Sequence, residues 1–264
     1  MMKWGSLAAL FLAAGALAQG LPFPGPGFKT FGGGGFTNTK SITTGNNAGS
    51  PASGITRTQG TGTSRQKMTF NFWYYSPSSG TAGVIISDAA SSTDQIGMTS
   101  GGSAVIFLNS GADGYGFCAN GIAQDDAWHQ ITVQIDTANA TAANRVIGYN
   151  DQVDCSFVPL VAITANYTTS WGANGTTEKL NAWAGVTSEV VDEVAKLDNV
   201  LQAPSSFASG GHAADLSALS FNAQGYWIRF ETGVASTVGD DSSGNSNAFA
   251  NVDYTNADFS SSVP

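Results

Sequence analysis

The stretch Asp126–Asp136, with the sequence DAWHQITVQID, alternates between two kinds of side chain. Aliphatic residues occupy every second position from Ile131 to Ile135. The other set of alternate positions holds an indole, two amides and a hydroxyl, namely Trp128, Gln130, Thr132 and Gln134. A period of two is that of a β-strand with one face in the core. The sequence therefore predicts a long, half-buried strand here.

A second stretch, KMTFNFWYY at Lys67–Tyr75, has the same period. From about Lys40 onward, short runs rich in Val, Ile, Phe, Trp and Thr are separated by clusters of Gly, Ser, Asn and Asp. This spacing is typical of an antiparallel sandwich or barrel. With 264 residues, of which 42% are hydrophobic, the chain is long enough for one large all-β domain, which we place at residues 40–264.

The charge of the chain limits its partners. Only 11% of residues are charged, the formal net charge is −9 and the pI is near 4.4. A nucleic-acid-binding protein needs a basic face that releases counterions, so we expect no nucleic-acid partner.

Residues 1–39 differ in composition from the rest and are expected to form an extended N-terminal arm. Met1–Gly20 has a basic start, a short apolar run and an A-x-A site, as a secretory signal does, and is too short for a transmembrane span. The alternative is a retained tether, because the prolines that follow forbid regular structure. Four aromatic side chains would then anchor it to a partner subunit: Phe23, Phe28, Phe31 and Phe36.

Two further features leave alternatives open. The segment SEVVDEVAKLDNVL, Ser188–Leu201, fits a helical stripe slightly better than a strand. The two cysteines, Cys118 and Cys155, lie in strand-like segments and could form a disulfide or remain two buried thiols.

Several motifs in order resemble those of the laminin G-like, concanavalin A-like lectin/glucanase superfamily. They are SAVIFLN, DAWHQITVQID, RVIGYNDQVD, EVVDEVAKLDNVLQAPSSF and the closing YWIRFETGVASTVGDDSSGNSNAF. The match is closer to the branch found in bacteriophage virion proteins. The resemblance implies an antiparallel β-sandwich of the concanavalin A-like jelly-roll type, in which the segment from Val190 is a late core strand.

Glucanases of this superfamily use carboxylates on one strand as nucleophile and acid/base. The segment SEVVDEV offers Glu189, Asp192 and Glu193, but on a regular strand Asp192 points away from the two glutamates. His129 follows Trp128 and is expected to be hydrogen-bonded locally. We therefore expect a protein that is not an enzyme.

The closing motif GDDSSGNSNAF, Gly239–Phe249, raises the question of a metal. Calcium prefers carboxylate and amide oxygens, and the oxygens available here belong to Asp240, Asp241, Asn245 and Asn247, with Asp192 from the neighbouring strand. The alternative is a tight turn, in which Asx side chains bond the backbone and a Gly adopts a positive φ. Calcium is the one cofactor that the sequence suggests.

A glycan could stack on an aromatic ring held in a loop. Trp171 lies in such a loop, NYTTSWGANGTTEKLN, and Tyr167 is its companion, so these two form the expected ligand-binding pair. The remaining strand tryptophans are expected in the core: Trp73, Trp128, Trp183 and Trp227.

The resemblance implies a non-enzymatic bacteriophage virion protein, a capsid decoration or a tail or fibre component. We expect a homo-oligomer that is joined to other virion proteins by its arm and that touches host-surface glycans. The alternative is a secreted carbohydrate-binding module of a cell, with Met1–Ala18 cleaved.

Overall fold

The computed structural model describes residues 41–43, 54–76, 83–88, 94–180, 190–230, 234–252, 254, 259–260 and 264. Within these residues the chain forms two large antiparallel sheets and a small two-stranded one. The first sheet contains β1 (Ser41–Thr43), β3 (Lys67–Ser76), β8 (Ala127–Asp136), β9 (Val146–Asn150), β10 (Val153–Asp154), β13 (Val190–Asp198), β16 (Tyr226–Ile228) and β18 (Phe259–Ser260). The second contains β2 (Ile55–Thr58), β4 (Gly83–Asp88), β5 (Gln95–Met98), β6 (Ala104–Leu108), β7 (Gly114–Cys118), β11 (Phe157–Val161), β12 (Thr177–Leu180) and β17 (Ala250–Asn251). The small one pairs β14 (Ala208–Ser209) with β15 (His212–Ala213).

The strand order confirms an antiparallel sandwich. The first sheet runs β10-β9-β8-β3-β13-β1-β18, with β16 also paired to β13, and the second runs β11-β7-β6-β5-β4-β12-β2-β17. Short 3-10 turns occur at Asn109–Gly111, Ala142–Asn144, Pro204–Phe207 and Ala235–Thr237, and the described part of the chain contains no α-helix. No helix in these ranges has the length and apolarity needed to cross a membrane.

The strands predicted from alternation form the centre of the first sheet. β3 and β8 pair over ten residues without interruption, from Lys67 opposite Asp136 to Ser76 opposite Ala127. Their apolar alternate positions face the second sheet and join the main core: Met68, Phe70, Phe72, Tyr74, Ile131, Val133 and Ile135. The opposite set of side chains forms what we call the outer face of the first sheet.

The segment from Val190 is a strand, as the family resemblance implied. β13 pairs with β3, β1 and β16, so hydrogen-bonded neighbours on both sides override the locally helical pattern. Its register against β3 shifts between Asp192 and Ala195, and Glu193 has a φ of 47° at this bulge.

A tight turn joins β9 to β10. Asp151 and Gln152 both have positive φ between β9 and β10, as a two-residue hairpin turn requires. Several residues of the sequence predictions lie outside the described ranges. They are the N-terminal arm with Phe23, Phe28, Phe31 and Phe36, and also Trp183 and Glu189.

Candidate functional site

The outer face of the first sheet carries a row of polar and aromatic side chains across β8 and β3. Tyr75 lies opposite Trp128, and two residues further along Trp73 lies opposite Gln130. Asn71 follows opposite Thr132. Cross-strand neighbours of this kind have side chains on one face and within contact distance.

The exposed end of this row is an aromatic pair. The rings of Tyr75 and Trp128 meet edge to face, with centroids 5.7 Å apart, and both side chains are half-buried. Trp128 therefore lies at the rim of the outer face, although the sequence placed it in the core. Trp73, by contrast, is only 4% exposed.

The buried end of the row is a network of amides. Asn71 Oδ1 accepts hydrogen bonds from Gln130 Nε2 and from Thr132 Oγ1, both at 2.9 Å. Gln130 Nε2 also donates to the Pro204 carbonyl at 2.8 Å, so the segment after β13 covers this end.

Three polar atoms of this row have no hydrogen-bond partner among the described residues. They are the indole nitrogen Nε1 of Trp73, the amide nitrogen Nδ2 of Asn71 and the amide oxygen Oε1 of Gln130. A buried polar group without a partner costs about 1–3 kcal/mol, and native proteins seldom leave such groups without a partner, water or ligand. Two donors and one acceptor are thus left without partners beneath this face, next to the half-buried aromatic pair.

On β13 and β16, next to Trp73, the same face is charged. Asp192 is paired with Trp73, and Glu193 accepts a hydrogen bond from the indole of Trp227. The Arg229 side chain stacks on Trp227, with its Cζ 4.8 Å from the ring centroid, and its Nε lies 3.8 Å from Glu193 Oε1. The bulge at Glu193 therefore directs this carboxylate toward Trp227 and Arg229.

The predicted glycan-stacking pair in the loop does not have the expected exposure. Trp171 is fully buried and packs edge-on against Phe70 in the main core, which contradicts its assignment as a ligand-binding aromatic. Tyr167 is half-buried and donates its hydroxyl to Asp94 at 2.9 Å. Burial, followed by the negative charge of Asp94, raises the pKa of Tyr167.

The residues predicted to bind calcium are engaged in a turn. Asp241 accepts backbone N–H bonds from Trp227, Ser243 and Asn247 at 2.8–2.9 Å, and its Oδ2 also accepts the Ser243 hydroxyl. The amide groups of Asn245 and Asn247 donate to the Gly225 carbonyl.

The other two carboxylates of the predicted calcium site, Asp240 and Asp192, take no part in that hydrogen-bond network. Asp240 is exposed, and Asp192 accepts the N–H of Glu193 within β13. In the residues described here, no group of three or more His, Cys, Asp or Glu side chains is arranged to hold a metal. Calcium binding at this turn stays a prediction.

His129 binds two carboxylates rather than facing the outer row. Its Nδ1 lies 2.7 Å from Asp151 Oδ2 and its Nε2 lies 3.1 Å from Asp125 Oδ1. Burial alone would lower the pKa of His129, but hydrogen bonds and charges from Asp151 and Asp125 outweigh it and raise the pKa. The sequence expectation of a locally hydrogen-bonded histidine agrees with this placement.

Cys118 and Cys155 form a disulfide, with their Cα atoms 5.1 Å apart. Of the two alternatives that the sequence left open, the structure has the bridge. It joins the end of β7 in the second sheet to the residue that follows β10 of the first.

No protein-family model and no curated protein matches the chain. Among solved structures, it is similar to a putative carbohydrate-binding protein from Bacteroides ovatus, with a TM-score of 0.56 and 7% identity. That match covers 82% of this chain and 58% of the other. It is also similar to a heptameric SAP-like pentraxin from Limulus polyphemus, with a TM-score of 0.47, 14% identity and coverage of 74% and 92%.

At such identities the similarity concerns the fold. This similarity agrees with the antiparallel β-sandwich that the sequence motifs implied. Neither structure bears on the bacteriophage branch.

Proposed function

We propose that this protein is a non-enzymatic carbohydrate-binding sandwich whose ligand lies on the outer face of the first sheet, against Trp128 and Tyr75. The observation that supports this most directly is that half-buried aromatic pair at the rim of the outer face, where a ligand can contact both rings.

The chemistry of the row suits a sugar. A pyranose ring has apolar C–H faces that pack on aromatic rings, and each hydroxyl both donates and accepts hydrogen bonds. Trp73 Nε1 and Asn71 Nδ2 are donors and Gln130 Oε1 is an acceptor. Because these three buried groups beside the aromatic pair are uncharged, a neutral glycan suits this part of the face best. The Bacteroides ovatus structure, described as a putative carbohydrate-binding protein, offers support at the level of fold.

The experiment is a binding assay with a panel of neutral oligosaccharides from cellulose, laminarin, xylan and mannan, read by calorimetry. For the best ligand, Trp128→Ala is expected to weaken binding at least about tenfold, equivalent to about 1.4 kcal/mol. Tyr75→Ala removes the other ring of the pair and is expected to weaken binding as well.

The matched control is Phe117→Ala, a half-buried aromatic of β7 that packs beside Val105, Phe107 and Tyr115 on the second sheet. It should bind as the wild type does. Equal losses in Trp128→Ala and Phe117→Ala, or no binding to any member of the panel, would refute the site. Release of reducing sugar from a bound glycan would contradict the non-enzymatic assignment.

We place the protein on the surface of a bacteriophage virion, where a homo-oligomer held by the N-terminal arm would present the sandwich to host glycans. Its support is the order of sequence motifs. The alternative is a secreted module, and the Cys118–Cys155 disulfide suits an oxidising exterior in either case. Mass spectrometry of the native N-terminus separates the two, since a mature protein beginning at Gln19 would contradict the retained arm.

A further inference from the structure

A cluster of charged and polar side chains lies inside the sandwich, away from the proposed glycan site. Lys196 on β13 of the first sheet points at two residues of the second sheet. Its Nζ lies 3.2 Å from Glu178 Oε1 on β12 and 3.4 Å from the side-chain oxygen Oε1 of Gln59, which follows β2. All three side chains are at most 1% exposed.

The charges in contact with Lys196 do not balance. Glu178 accepts hydrogen bonds from Arg57 Nη2 at 2.7 Å and Nε at 3.0 Å, so one carboxylate faces two cations. Asp198 adds negative charge, but its oxygens accept backbone N–H groups of Thr63, Ser64 and Gln224. Burial and the positive charge of Arg57 lower the pKa of Lys196 to about 8, although Glu178 opposes this shift. Burial alone would raise the pKa of Glu178, but the charges of Lys196 and Arg57 lower it, so this carboxylate stays ionised.

The Gln59 amide is held in a fixed orientation. Its oxygen also accepts the backbone N–H of Gly172, and its nitrogen donates to Thr176 Oγ1 at 3.0 Å and to the Ser170 carbonyl at 3.4 Å. A backbone N–H on a carbonyl oxygen polarises the carbonyl carbon and stabilises the oxyanion formed by attack on it. A neutral amine in contact with such a carbonyl can attack its carbon in acyl transfer.

We infer that Lys196 and Gln59 form an intramolecular isopeptide bond between the two sheets. Lys196 first loses its ammonium proton to solvent. The neutral Nζ then attacks Gln59 Cδ and passes one of its two remaining protons to the Glu178 carboxylate, while the Gly172 N–H holds the oxyanion. The bond from Cδ to Nε2 then breaks, Glu178 returns the proton to the leaving nitrogen, and ammonia departs. The products are a secondary amide and ammonia, so no oxidant or further reactant is needed.

This bond would also resolve the charge imbalance. Once Lys196 becomes an amide, Arg57 and Glu178 remain as a balanced buried pair. The closed loop would run from Gln59 to Lys196, a separation of 137 residues, and would covalently join β13 to the end of β2.

The experiment is mass spectrometry of the purified, folded, full-length protein after reduction of its disulfide. We expect a mass one ammonia below that of the sequence. Because cyclisation of an N-terminal glutamine gives the same loss, a tryptic digest decides. The expected product is a branched peptide in which residues 58–65 are joined to residues 180–229, with no cleavage at Lys196.

Lys196→Arg keeps the charge but cannot form the bond, and Glu178→Gln keeps the shape but removes the base. Both are expected to yield the linear peptide 58–65, and Lys196→Arg is expected to melt at a lower temperature. If either variant fails to fold, the wild-type digest still decides alone. Recovery of linear peptide 58–65 and of cleavage at Lys196 in wild-type protein would overturn the inference.

Discussion

The indole of Trp171 packs edge-on against Phe70, with ring centroids 4.8 Å apart. Because it lies in the main core, we expect Trp171 to stabilise the fold. Trp171→Ala should lower the free energy of unfolding by about 3–5 kcal/mol, because truncation leaves a large cavity. Trp171→Phe should cost less, since an aromatic ring still fills most of the space and the buried Nε1, which has no partner among the described residues, is removed. Denaturant unfolding measures both. Weaker glycan binding by well-folded Trp171→Phe would restore the original stacking hypothesis.

His129 should make stability depend on pH. A group whose pKa is raised on folding adds stability that is fully present below its unfolded pKa, near 6.5, and is lost as the pH rises through the folded value. The protein should therefore lose stability from weakly acidic to weakly alkaline pH, and His129→Gln should lose less over that window. Urea unfolding at several pH values tests this. A variant with the same pH dependence as the wild type would show that another group is responsible.

The turn after β16 is an element stabilised by one carboxylate. Asp241→Ala removes the acceptor for three backbone N–H groups and is expected to lower the free energy of unfolding by about 1–3 kcal/mol. Asp240→Ala is the matched control, because Asp240 is exposed and should tolerate the change. The calcium prediction is tested in the same series. A melting temperature that rises with calcium in wild type but not in Asp241→Ala would support a metal at this turn.

Strands were easier to predict than the site on them. Alternation alone identified β3 and β8, because each has one apolar face that must be buried. The site row depends on register, which brings Trp73 opposite Gln130 although they are 57 positions apart in the sequence. The useful signal was the polar set of DAWHQITVQID, which lies on the same face as Asn71 and Trp73.

At the scale of the whole molecule, the sandwich followed from the spacing and order of motifs, whereas its buried charges did not. Arg57, Glu178 and Lys196 occupy short or irregular strands where a charged residue usually indicates a solvent-facing position. Only the packing of one sheet on the other shows that they meet. The loop of Trp171 was misassigned for the same reason, because polar neighbours in the sequence conceal a side chain that folds back into the core.

The disulfide also depends on the whole fold, because it connects strand ends of the two sheets across a separation of 37 residues. Replacing both cysteines, as Cys118→Ala with Cys155→Ala, should lower the free energy of unfolding by about 3–4 kcal/mol, the value expected for closing a loop of this length.

Gly148 provides an independent check, because a Cβ there would lie 2.6 Å and 2.7 Å from the two sulfur atoms. Gly148→Ala should cost about 1–3 kcal/mol by overpacking in the oxidised protein. In the double alanine variant the sulfurs are gone, so the same substitution should cost clearly less. Equal costs in the two backgrounds would mean that the bridge does not pack on Gly148.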